Sequence, residues 1–91
     1  MTILRLEVAG RVQGVGFRWF IREQARARGL SGWARNLSNG NVELCVGGED
    51  AAVKELRRLV AVGPEGADVR QVLERPPQAS EPLPFPFTIL K

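Results

Sequence analysis

A chain of 91 residues is long enough for one two-layer core and too short for two, so a single domain over residues 1–91 with one site is expected. With 44% hydrophobic and 25% charged residues, the composition excludes disordered and fibrous classes. The formal charge of +3 comes mainly from arginine, lysine occurring only at Lys54 and Lys91; it favours an anionic ligand and is too small to argue for nucleic acid.

Residues 3–9 alternate, with Leu4, Leu6 and Val8 on one face and Arg5, Glu7 and Ala9 on the other, the period of a half-buried strand. A glycine-rich stretch from Gly10 to Gly16 follows. Phe17, Phe20, Ile21 and Ala25 then recur at helical spacing, predicting a helix from about Arg18 to Arg28 that stops at Gly29. Leu30 to Leu37 and Asn41 to Gly47 read as antiparallel strands joined through Ser38-Asn39-Gly40, because Asn-Gly accepts the positive φ of a tight hairpin turn.

Glu49 and Asp50 put negative charge where it suits a helix start, and Ala52, Val53, Leu56, Leu59 and Val60 form its apolar stripe up to Gly63-Pro64. Ala67 to Arg75 is a fourth strand whose Val69 and Val72, three apart, predict a bulge. Pro76, Pro77, Pro82, Pro84 and Pro86 mark a connector, and Phe87 to Leu90 a short terminal strand. The order β-α-β-β-α-β plus a short extra strand predicts an α+β, ferredoxin-like sandwich: an antiparallel sheet with two helices on one face.

Cys45 is the only cysteine, so no internal disulfide can form; no secretory leader is expected, and no apolar run approaches about 20 residues. A cytoplasmic monomer without a membrane segment is expected. The thiol lies in the body of a strand and reads as a small hydrophobe, and Glu43 in the same strand as an exposed residue.

Chemistry concentrates in the first strand-to-helix turn. Gly14 and Gly16 lack Cβ atoms, so the backbone there can take positive φ, let a ligand approach, and point successive N–H groups inward as an anion nest. The helix that follows adds unsatisfied N–H groups and the positive end of its dipole. Arg18, at its start, brings a planar guanidinium that can grip two phosphate oxygens. The spacing is neither a Walker loop nor Gly-x-Gly-x-x-Gly, and taken alone it suits a plain tight turn equally well.

Asn36 ends the second strand and, by local sequence, is equally a turn or capping residue. Topology favours more. In a split βαβ arrangement the first two strands run parallel with the third between them, so their ends lie on one edge about 10 Å apart, close enough for Arg18 and Asn36 to meet over a small ligand. A carboxamide can accept from water and donate to a phosphoryl oxygen, but it cannot act as a base.

The chain has no histidine, and no cluster of Cys, Asp or Glu has metal-ligand spacing, so no metal and no cofactor are expected. Such a site accelerates hydrolysis by positioning and charge stabilisation, which requires a leaving group that departs unprotonated. A carboxylate, with a conjugate-acid pKa near ~4, qualifies; an alkoxide does not.

Together, Gly10-Arg11-Val12-Gln13-Gly14-Val15-Gly16-Phe17-Arg18 and Gly32-Trp33-Ala34-Arg35-Asn36 with Asn39-Gly40-Asn41-Val42-Glu43 closely resemble the two signatures of the acylphosphatase family, across nearly the whole chain. The resemblance implies hydrolysis of acyl phosphates to carboxylate and inorganic phosphate, with Arg18 binding phosphate and Asn36 orienting the water. It implies a backbone cradle formed by Gln13, Gly14, Val15, Gly16 and Phe17, and no metal or cofactor. A minimal site of this kind grips the phosphoryl group alone, so broad acyl tolerance is expected. The competing reading is a non-catalytic phosphate- or nucleic-acid-binding ferredoxin-like module. Against it, sheet recognition of RNA uses exposed aromatics in a glycine-aromatic signature that no strand here carries.

Overall fold

The alternation in the first segment becomes a strand with two chemically different faces. The structure, a computed structural model, describes residues 1–77 and 82–91. Strand β1 spans Thr2–Arg11, helix α1 Phe17–Ala27, strands β2 and β3 Ser31–Asn36 and Val42–Gly48, helix α2 Asp50–Val62, and strands β4 and β5 Asp68–Arg75 and Thr88–Ile89. On one face, Leu6 and Val8 of β1, Ala34 of β2 and Val42, Leu44 and Val46 of β3 are fully buried. Phe17, Ile21 and Ala25 of α1 and Val53, Leu56 and Val60 of α2 pack with them in one cluster, so both helices cover that face.

The sheet order is β4-β1-β3-β2-β5. Strand β3 is antiparallel to both β1 and β2, so β1 and β2 are parallel to each other and deliver their C-terminal ends to the same end of the sheet. In β4, Gln71 pairs with Ala9 and Val69 with Gly10, leaving Arg70 as the extra residue of a bulge. That inserted residue is why Val69 and Val72, three apart, both pack against the core.

Two expectations are corrected. The sheet is mixed rather than antiparallel, because β5 pairs parallel with β2 through Trp33–Thr88 and Ala34–Ile89. Strands β4 and β5 form opposite edges of the sheet, and described residues of the segment between them lie on the face that the helices leave open. Arg5 Nη1 there donates to the Pro76 carbonyl (3.2 Å), Leu83 lies over Gly47, and Gly32 N donates to the Pro84 carbonyl (2.8 Å). Pro84 thus sits at the β2 edge before β5 begins; residues 78–81 of the proline connector lie outside the described residues.

Glu43 is the second correction. Expected to be exposed, it is 2% exposed. Its position on the central strand puts its carboxylate between side chains from both neighbours, and it forms ion pairs with Arg5 (2.6 Å) and Arg35 (2.7 Å). A buried charge is costly unless paired, and two guanidinium partners meet that requirement without guaranteeing a net gain in stability. Cys45, on the same face, is buried, and loss of solvent pushes its thiol pKa up, as suits an inert residue.

Candidate active site

The turn from β1 into α1 is built from backbone conformation. Gly14 and Gly16 have φ of 75° and 76°, in the left-handed region that side chains disfavour. A Cβ at either would meet no atom within 4 Å, so conformation and not crowding demands glycine, and the space above the loop is open. No side chain caps α1 and no acidic residue lies in its first turn. Among the described residues, no backbone N–H from Gln13 to Trp19 donates to another backbone group outside regular ladders. A row of free donors therefore meets the positive end of a helix, an arrangement that attracts an anion.

A cavity of about 200 Å³ lies against this row, lined by Val12, Gly14, Gly16, Phe17, Arg18, Trp19 and Asn36. The structure thus brings Arg18 and Asn36 to one small space, as the parallel ends of β1 and β2 require. Arg18 is half-buried and has no ion-pair partner among the described residues, so its charge faces the cavity uncommitted. A larger open groove of about 680 Å³ beside the β4 bulge contains none of the predicted site residues.

Gln13 and Val15 do not line the cavity. Val15 packs against the core. The Gln13 side chain turns to the β2–β3 hairpin, its Nε2 donating to the carbonyls of Leu37 (2.8 Å) and Asn41 (2.9 Å). Leu37 follows Asn36 directly, so this tie fixes the loop against the strand end that carries the carboxamide.

The architecture and the paired arrangement of loop and strand end have counterparts among known proteins. A family model described as Acylphosphatase matches residues 4–85. The chain belongs to the acylphosphatase family. It is 50% identical over 70 residues to an acylphosphatase of Methanothrix thermoacetophila, covering 76% of this chain and 78% of that one. To an acylphosphatase of Chromohalobacter salexigens it is 43% identical over 86 residues, covering 94% and 93%. The crystal structure of acylphosphatase from Bacillus subtilis matches with a TM-score of 0.83 at 33% identity, over 100% of both chains. The activity that accompanies this membership is that of an acylphosphatase, a hydrolase. No helix among the described residues is long and apolar enough to cross a membrane.

Sequence reasoning missed two kinds of residue. Trp19 lines the cavity; its only signal is that it directly follows Arg18 at the start of α1. Glu7 of β1 supports the hairpin: its carboxylate accepts from Asn41 Nδ2 (2.6 Å), Asn39 Nδ2 (3.3 Å) and Arg75 Nη2 (3.3 Å). Asn39 Oδ1 in turn accepts from Asn41 N (3.0 Å), the local turn bond expected of this residue type.

The Asn41 bond is the main cause holding the Glu7 carboxyl below its ordinary value of 4.5. A pKa depressed on folding gives stability that is fully present above the unfolded value and is lost as pH falls through the lowered folded one. Glu7→Gln is therefore expected to shrink the loss of thermal stability between neutral and strongly acidic pH. Melting temperatures measured for both proteins across that range check this; parallel pH curves would contradict it.

Proposed function

We propose that the chain hydrolyses acyl phosphates to a carboxylate and inorganic phosphate by direct attack of water on phosphorus. The loop N–H groups and Arg18 bind the phosphoryl oxygens and stabilise the charge they carry in the transition state. The Asn36 carboxamide accepts one hydrogen bond from the water and donates one to a phosphoryl oxygen, holding the nucleophile in line. The new P–O bond forms as the bond to the acyl oxygen breaks, the carboxylate leaves with the electron pair, and the proton of the water passes to solvent or to product phosphate. No step needs a general acid, since a carboxylate leaves unprotonated, and none needs a metal or cofactor.

One observation carries this reading: Arg18, Asn36 and the glycine turn with its free N–H groups line a single cavity. The reading extends to a single-domain cytoplasmic monomer, the free, buried Cys45 supporting a reducing compartment. The alternative binding module is disfavoured because the open face, where such sheets bind RNA, is crossed by Pro76 and Leu83–Pro84 and occupied by the Glu43 ion pairs.

Purified protein is expected to hydrolyse benzoyl phosphate in the presence of a chelator. Its kcat should vary little between about pH 5 and 8, because among the described residues no carboxylate, imidazole or thiol lines the cavity. Turnover at the uncatalysed background would defeat the proposal. Salt-dependent RNA binding without turnover would turn the assignment to the binding module.

A further inference from the structure

The lining of the catalytic cavity is uneven in one respect. Its two glycines, Arg18 and Asn36 meet the phosphoryl group in the proposed reaction, and of its three large apolar residues Val12 and Phe17 are each 1% exposed, committed to the core. Trp19 is 58% exposed. It alone among these residues offers apolar surface to whatever is attached to the phosphate.

Its neighbour on the next turn organises it. The Arg22 guanidinium carbon lies 4.2 Å from the centroid of the Trp19 ring, a cation–π contact that covers one face of the indole. Arg22 Nε is buried without a hydrogen-bond partner among the described residues, and the nearest carboxylate, Glu23, is 3.9 Å away. A guanidinium that forgoes a close ion pair to lie over a ring fixes that ring while leaving its other face and edges accessible. An exposed, braced indole at the rim of a polar cavity is a stacking platform.

We infer that Trp19 is the acyl-side contact of the site and gives a preference for acyl phosphates with a planar aromatic acyl group over small aliphatic ones. This rests on the proposed hydrolysis and replaces the expectation of broad acyl tolerance. An aromatic ring stacked on the indole gains both area burial and the geometric preference of aromatic pairs, whereas an acetyl group gains little. Arg22 acts through Trp19 and is a positioning residue.

The test compares kcat/KM for benzoyl phosphate and acetyl phosphate in the unaltered protein, Trp19→Ala, Trp19→Phe and Arg22→Ala. Trp19 is exposed on α1 and alanine is a strong helix former, so the Trp19 variants retain the fold. The benzoyl-to-acetyl ratio is expected to fall about two- to tenfold in Trp19→Ala, to be largely kept in Trp19→Phe, and to fall by a smaller factor in Arg22→Ala. In parallel, benzoylphosphonate, a non-hydrolysable probe, should bind Trp19→Ala more weakly by about the same factor. If the unaltered protein turns over neither substrate, the proposed hydrolysis fails. Turnover of both with an unchanged ratio in Trp19→Ala overturns the role of Trp19 and leaves the hydrolysis standing.

Discussion

Replacing Arg18 with alanine is expected to lower kcat for an acyl phosphate by about 10³-fold or more, the scale of losing an arginine that stabilises phosphoryl transfer. The charge moving onto the phosphoryl oxygens in the transition state has a row of neutral N–H donors and one uncommitted guanidinium to receive it. Removing the guanidinium removes the only full positive charge among the described residues that line the cavity. Arg18→Lys should recover part of the loss, since it restores a point charge without the two-pronged fork.

Stability should move the other way. A cation in the first turn of a helix opposes the dipole, and Arg18 has no ion pair among the described residues to offset this. Arg18→Ala is therefore expected to leave thermal stability unchanged or to raise it slightly. Loss of turnover with an undiminished Tm separates a catalytic effect from unfolding. A folded Arg18→Ala protein with full activity would remove this residue from the site.

Much of this was legible in the chain because it depends on local periodicity. Alternation in β1, the helical spacing of Phe17, Ile21 and Ala25, and the misfit of Val69 with Val72 each became the strand, buried helix face and bulge they implied. The glycines and Arg18 were legible for the same reason, lying next to one another. Asn36 needed one further step, the parallel pairing of β1 and β2 around β3.

What stayed hidden depends on chain segments far apart in sequence. A period of two assigns Glu43 to a face of the sheet, but the arginines beside it come from other strands, and the chain over that face comes from the C-terminal connector. The parallel pairing of β5 follows from which edge that connector reaches, which no local pattern states. The bonds from Gln13 and Glu7 to the hairpin bridge residues 24 to 34 positions apart and are equally invisible in the sequence.

Those bonds decide how strictly Asn36 is held, and so what its loss should cost. Asn36→Ala is expected to reduce kcat about 10²-fold with a smaller change in KM, because a misplaced nucleophile costs rate while the phosphate remains bound by the loop and Arg18. Asn36→Asp distinguishes positioning from base catalysis. Ionised, the aspartate can accept from water but repels the phosphoryl oxygens and donates nothing; protonated, it regains a donor and an acceptor in nearly the original shape. Its activity should therefore be low at neutral pH and rise as pH falls toward the ordinary carboxylate range near ~4. Were Asn36→Asp instead most active when ionised, the residue at this position would be serving as a base, and the picture of water placed by an uncharged amide would have to be given up.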